Sequence, residues 1–450
     1  MKNNGKDIIE FFKTEFNQYA TYDTYRSLAN YTDGLKNSGR KVIHTVIKNN
    51  IKNNIKISAL AAKTIEQAEY LHGEMSLQKV CISLARNFSG TNNLNVLEPE
   101  GSFGNRTIPL SASPRYIYTR KIDFFDNIFV KDDLDVLINQ DFEDTQIEPR
   151  FFVPVLPLIL LNYNKGIGSG FSQKIYPREP KKILSILKKY LKTKKLPREI
   201  KPFFKDFKGE IEVVKNPKTK VKNIIMKGVL TIKNQSTILI EELPVKGYTQ
   251  KSYLSTLEKL IDKGLIKTYK DFSNENNFLI EIKVERQFIK NNSQEELLSI
   301  FNLIHTDVEN FTCIDENNKV IVFKNEIEIL QKYIDTRIIY YSKRKENIIN
   351  LLKEDIDLLS WKLKFLDLVL NEKIILNKAK KEIIIKNLTK YKFPERDSYG
   401  YLLNMPLYSL TYEKYQELKS KQEIKQNELN ELLLKKEEDL WLEDLNLIKL

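Results

Sequence analysis

Only two cysteines, Cys81 and Cys313, occur in 450 residues, too few for a disulfide framework; such poverty reads as a reducing, intracellular setting. Histidine is nearly as scarce. With only His44, His72 and His305 and two scattered cysteines, a zinc site is not expected. No apolar run approaches the roughly 20 residues of a membrane-spanning helix, and Met1-Lys2-Asn3-Asn4-Gly5 lacks the apolar core of a signal peptide. The glycine run Gly166-Ile167-Gly168-Ser169-Gly170 has no following lysine and no strand-helix-strand context, so it is not read as a nucleotide-phosphate cradle. Between residues 265 and 393 there is neither glycine nor proline. The usual helix breakers are therefore missing from a long stretch of the second half.

What is abundant is positive charge, and it is concentrated. The chain carries a net +13; residues 174 to 227 alone hold 18 Lys and Arg against 5 Asp and Glu, so the remainder is formally neutral. Aromatic residues are interleaved at Tyr176, Tyr190, Phe203, Phe204 and Phe207. A basic strip of this kind, beginning at Lys174, suits tracking of a phosphate backbone, with affinity that falls steeply with salt.

Length and a hydrophobic content of 41% allow two to four domains with ordinary cores. Residues 1 to 124 read as mostly helical, with Val42, Ile43, Val46 and Ile47 on helical spacing after Asp33-Gly34 and further helices at Ile57 to Leu71 and Ser76 to Leu84. Short helices joined by tight turns suit a helix-turn-helix, and Lys36, Arg40 and Lys41 are positioned to face a DNA groove. From 125 to 325 the pattern becomes mixed α/β, with strands expected at 209–215, 224–232, 237–242 and 277–285 and a helix at 249–262. Beyond 326, Leu352, Ile356, Leu359, Leu363, Leu366 and Leu370 step by four and three, a heptad seam. A helix over 326–370 would be about 68 Å long at 1.5 Å per residue, and a second helical run over 411–440 can return beside it.

The candidate chemistry centres on Arg115-Tyr116. A phenol has a reference pKa of about 10, so a tyrosine that attacks phosphate needs a positive neighbour, and Arg115 is one. Three functions remain open on these residues: a DNA-breaking topoisomerase, a tyrosine recombinase, and a non-catalytic architectural protein built from a helix-turn-helix and a coiled coil.

An ordered set of motifs separates them. Tyr31-Thr32-Asp33-Gly34-Leu35-Lys36, Tyr70-Leu71-His72-Gly73-Glu74, Gly101-Ser102-Phe103-Gly104-Asn105-Arg106, the Arg115-Tyr116 pair, Ile147-Glu148-Pro149, the glycine run around Ile167 and Tyr399-Gly400-Tyr401-Leu402-Leu403 follow one another along the chain. In that order they resemble the breakage-reunion subunit of type IIA DNA topoisomerases, A-type and similar to the phage medium subunit. The resemblance implies an α+β multidomain fold: a winged-helix DNA-gate domain (1–124), a mixed α/β tower (125–325), and long antiparallel coiled-coil arms with a globular C-gate tip (326–450).

It further implies an ATP-dependent enzyme that breaks both DNA strands through 5′-phosphotyrosyl links and passes another duplex through the gap. Tyr116 is then the nucleophile, Arg115, Arg26 and His72 assist it, Ile167 wedges between base pairs, and Lys36, Arg40, Lys41, Arg106 and Lys174 contact DNA. Mg2+ and ATP would be held by a partner subunit carrying the ATPase and metal-binding fold, and two copies would join through the C-gate. The implied location is cytoplasmic, in a host cell if the source is viral. Leu71 and Asn37-Ser38 depart from the family pattern beside His72 and after Lys36.

Overall fold

The computed structural model describes every residue except 1–7, 219–220, 246, 377–378 and 407–409. Its chain divides into two compact units, one comprising Met1–Arg337 with Leu442–Leu450, the other Ile338–Trp441. The sequence suggests divisions at 124/125 and 325/326; both fall inside the larger unit, whose boundary with the other lies at 337/338.

The larger unit begins with a helical layer. In helix Asn37–Lys48 the residues Val42, Ile43 and Val46 are buried, in Ile57–Gln67 the stripe is Ile57, Leu60, Ala61 and Thr64, and in Glu74–Ala85 it is Leu77, Cys81, Ile82 and Ala85. Each stripe follows the three-to-four residue spacing of one helix face. An antiparallel sheet in the order Ile55–Lys56, Tyr118–Lys121, Leu97–Glu100 closes this layer. Cys81 and Cys313 are buried and unpaired.

Two further antiparallel sheets occupy the mixed region. One runs Val229–Asn234, Thr237–Glu242, Ile280–Lys283, Thr268–Asp271, the other Ile304–Val308, Lys222–Lys227, Glu210–Lys215. Ile238, Ile240, Ile280 and Ile282 pack against Tyr253, Leu257 and Leu260 of helix Gln250–Asp262, whose start is fixed by a capping box between Thr249 and Ser252. The strand expected over 224–232 is split at Gly228 into two strands of different sheets. A Cβ there would lie 2.4 Å from the Glu242 carbonyl oxygen, so only glycine allows the chain to cross between them.

The basic stretch folds largely around helix Pro180–Thr193, with Ile183, Leu187 and Leu191 inward and Lys181, Lys182, Lys189 and Lys192 exposed. Of the interleaved aromatics, Tyr176 and Phe204 are core residues packed on Ile224, Met226 and Val245.

The second unit is helical. Helix Glu326–Leu370, 45 residues long, runs on through Ile338 and keeps the bounds its sequence suggests. Leu363 and Leu366 meet Leu418 of the returning helix Tyr412–Leu434, and Lys425 reaches Asp355 at 2.6 Å. The return is not one run to 440. It stops at Lys435, with extended backbone (φ −71°, ψ 141°), and resumes as Glu437–Leu447 once the Asp439 carboxylate accepts the Lys436 N–H. At the far end Phe365, Leu368, Ile374, Leu388, Phe393, Tyr399 and Leu402 form a separate small core.

Candidate active site

Tyr116 lies on a turn held by the start of helix Ile57–Gln67. The first helical N–H groups, which have no partners within a helix, donate here to the loop: Ile57 to the Ile117 carbonyl (3.0 Å) and Ser58 to the Pro114 carbonyl (3.3 Å). The Tyr116 N–H closes the turn on the Ser113 carbonyl, and Ile117 is buried as its anchor. The result is a phenol ring 70% exposed on fixed backbone, with the Arg115 guanidinium carbon 6.0 Å from the ring centre.

A second cluster lines a cavity of about 620 Å3 whose walls include Tyr22, Arg26, Lys36, Lys41, His72 and Glu148. Arg26 places Nη1 3.0 Å from His72 Nε2, and the Tyr22 hydroxyl lies at the same distance from that nitrogen. A guanidinium has donors only, so Nε2 accepts and the ring is neutral in this arrangement. Partial desolvation, then the Arg26 charge, push the His72 pKa below its usual value. This imidazole is a hydrogen-bond acceptor held beside a permanent cation. Tyr22 is not singled out by the sequence motifs; its spacing of four from Arg26 on helix Asn17–Ser27 is the available signal.

The two clusters stand apart within one chain. Tyr116 is tied to the beginning of helix Ile57–Gln67, about 16 Å long at 1.5 Å per residue, and His72 follows its end. Neither Arg115 nor Tyr116 lines the Arg26 cavity.

Several residues expected to face DNA turn inward. Arg40 is 2% exposed, with Nε 2.7 Å from Asp33 Oδ2 and Nη2 on Asp33 Oδ1 and the Leu35 carbonyl. Lys41 donates to Glu148 (3.0 Å) and to the Ala68 carbonyl. Arg106 spans to Glu242 and the Leu243 carbonyl and covers the Phe278 ring, stapling its loop to the mixed sheet. Lys174 pairs with Asp307 at 2.6 Å. Arg40 and Lys41 are buried, and a buried charge must first satisfy an internal partner; Arg106 and Lys174 are half-buried, each with a carboxylate partner. Lys36 is intermediate: it lines the cavity, its ammonium donates to the Lys165 carbonyl at 2.8 Å, and burial pushes its pKa down.

Ile167 sits on a hairpin of strands Asn164–Gly168 and Phe171–Ile175 and is 74% exposed. The neighbouring glycines do not face outward with it. A Cβ on Gly166 would lie 2.3 Å from the Ser27 carbonyl oxygen, and one on Gly168 would lie 2.9 Å from Thr24 Cα; contact with helix Asn17–Ser27 by itself requires glycine at both positions.

These residues do not themselves fit Mg2+. The charged neighbour of Tyr116 is a cation, and among the described residues no group of three or more His, Cys, Asp or Glu is arranged to hold a metal ion. Among them, too, no helix is long and apolar enough to cross a membrane.

The family model for the A subunit of DNA gyrase/topoisomerase IV matches residues 26–446. The chain is similar to DNA topoisomerase 2 of Plasmodium falciparum (isolate K1 / Thailand), 32% identical over 99% of this chain and 34% of the relative. It is also similar to DNA topoisomerase 2 of Acanthamoeba polyphaga mimivirus, 30% identical over 97% of this chain and 40% of the relative. The crystal structure of the Plasmodium falciparum topoisomerase II DNA-binding, cleavage and re-ligation domain superposes with a TM-score of 0.88 at 33% identity, covering 97% of this chain and 63% of that one. The chain thus spans about a third of the length of these curated relatives. With the matched region running through the Tyr116 turn, the Ile167 hairpin and the long helical pair, this chain belongs to the family of DNA gyrase and topoisomerase IV A subunits.

Proposed function

We propose that this protein is the DNA-breaking and rejoining part of an ATP-dependent type IIA topoisomerase, acting in relaxation and decatenation. The observation that carries this reading is Tyr116, fully presented beside Arg115 on a turn that the fold holds rigidly. Its phenolic oxygen attacks a backbone phosphorus, the bond to the 3′ oxygen breaks, and that oxygen leaves as a hydroxyl; the reverse attack reseals the strand. Arg115 and Arg26 would lower the charge on the non-bridging oxygens, the main contribution a protein makes to phosphoryl transfer. The neutral His72 would accept a hydrogen bond in the same pocket.

Because Tyr116 is tied to one end of helix Ile57–Gln67, His72 follows the other, and neither Arg115 nor Tyr116 lines the Arg26 cavity, the complete site is read as one copy's tyrosine working with a second copy's cavity. The helical layer with its small sheet then acts as a winged-helix DNA gate, the exposed lysines of Pro180–Thr193 track the outer DNA as part of a tower, and the small core between residues 365 and 402 serves as the joining tip of coiled-coil arms. Mg2+ and ATP are assigned to a partner subunit or to a segment outside these residues, Mg2+ supplying Lewis-acid stabilisation of the leaving oxygen.

The test incubates the protein, with and without a candidate ATPase partner, with supercoiled plasmid and Mg2+ and stops the reaction with detergent. Protein-linked linear DNA with short 5′ overhangs is expected. A 3′ protein link or no covalent product would defeat the proposal.

A second expectation concerns the wedge. Ile167→Ala should reduce both DNA bending, followed by fluorescence transfer between labelled duplex ends, and cleavage, by about tenfold. Unstacking a base step costs a few kcal/mol, and an alanine cannot replace the lost stacking contact. Folding should not change, since the side chain is exposed; an unaltered bend angle in the folded variant rules the wedge out.

A further inference from the structure

Helix Asn17–Ser27 has two occupied faces. One carries Tyr22 and Arg26 to His72. The other carries Asp23, Thr24 and Ser27 against the hairpin that bears Ile167. There the Ser169 hydroxyl donates to Asp23 Oδ2 at 2.9 Å, the Thr24 hydroxyl donates to the Ser169 carbonyl at 3.4 Å, and Gly166 and Gly168 lie against the Ser27 carbonyl and Thr24 Cα. The hairpin is fastened at two more points. Gln173, on its second strand, accepts from the Ala29 N–H and donates to the Ala29 carbonyl, and Lys36, from the cavity wall, donates to the carbonyl of Lys165.

A contact between backbones without intervening side chains has no rotamer to absorb a displacement, and packed interiors transmit strain. A force on Ile167 therefore reaches the helix that holds Arg26.

We propose that Asp23, Gly166, Gly168 and Ser169 are positioning residues which lock the Ile167 hairpin to the Arg26 helix, so that bending of DNA and presentation of the arginine are one mechanical event. This rests on the function proposed above. Its consequence is that an unbent duplex meets a misplaced Arg26 and is spared cleavage. The selection of deformable sites is then made by the chemistry and not by binding alone.

Gly168 does not have positive φ, so its own backbone conformation admits alanine, and the added methyl group of Gly168→Ala, 2.9 Å from Thr24 Cα, must push the hairpin and the helix apart. The experiment uses the full chain with its partner and two duplexes, one regular and one pre-bent by a two-base mismatch, and reads bend angle, covalent cleavage and melting temperature. Gly168→Ala and Ser169→Ala are expected to keep the normal bend yet to lose cleavage about tenfold on both duplexes, the scale of a sub-ångström misplacement of a catalytic group. Ser169→Thr, which keeps the hydroxyl, should retain cleavage. Ile167→Ala should recover cleavage on the pre-bent duplex, where its wedge is no longer needed.

If Ser169→Ala and Gly168→Ala cleave normally while Ile167→Ala is impaired, the coupling is wrong and the proposed function stands. The coupling also fails if their cleavage returns on the pre-bent duplex. If Ile167→Ala bends and cleaves as the parent does, the wedge itself fails, and the coupling with it.

Discussion

Tyr116→Phe should abolish covalent attachment to DNA, by at least about 10⁴-fold, while changing DNA affinity less than about threefold. The substitution removes one oxygen and nothing else. Because the ring is exposed and its turn is held by backbone hydrogen bonds to Ile57 and Ser58, neither packing nor turn geometry depends on the hydroxyl. Tyr118 is the rival nucleophile two residues on, but it lies in strand Tyr118–Lys121, with Glu100 and Lys56 as register partners, and its Phe variant should stay active. Detergent-trapped cleavage of end-labelled duplex measures both. Persistent linkage in the Tyr116 variant would exclude it as the attacking group.

Asp33→Ala should lower stability by about 3–5 kcal/mol, the scale for stranding one member of a buried ion pair. Asp33 accepts from Arg40 Nε and Nη2, from the Leu35 N–H at 2.9 Å and from the Phe152 N–H at 3.1 Å, so its loss leaves a guanidinium and two backbone donors in the interior. For a cooperative unit of this size the thermal midpoint should fall by roughly 5 °C. Combining Asp33→Leu with Arg40→Met should recover part of the loss, since no lone charge then remains. A normal melting point with weaker, less salt-dependent DNA binding in Arg40→Ala would instead return Arg40 to the DNA-facing side.

Much of the helical architecture could be read directly from the chain. Periodic apolar residues located the helices around Val42, Leu60 and Cys81, because helix faces are local properties, and the missing breakers let Glu326–Leu370 run as one helix; the helix expected over Ile57 to Leu71 ends earlier, at Gln67. The direction of a charged side chain is not local. Lys41 is neutralised by Glu148, 107 positions later, and Arg106 by Glu242, 136 positions later, so their motif context was visible and their inward orientation was not. The packing of Gly166 and Gly168 was hidden for the same reason: the glycines were visible, but the helix Asn17–Ser27 that lies against them is about 140 positions earlier. Tyr116 and Ile167 stood out because their flanking motifs are short and contiguous, and both prove exposed.

The order of the two units along the chain sets an order of folding. The larger unit is completed only by Leu442–Leu450, where Leu445 and Ile448 are buried and the Asn127 side chain donates to the Leu447 carbonyl. Closing a flexible loop of about a hundred residues to bring that segment home would cost on the order of 4 kcal/mol of chain entropy. The helical pair removes most of it in advance: Tyr341 stacks on Trp441 with ring centres 5.7 Å apart, and Lys345 donates to the Lys435 carbonyl, so both ends of the inserted segment are joined by its own contacts. Chains halted before residue 442 should accordingly show the inserted pair resisting protease while the larger unit is still cut. The Tyr341–Trp441 stack does for this chain what a crosslink does for a secreted protein, shortening the unfolded loop before the last segment docks.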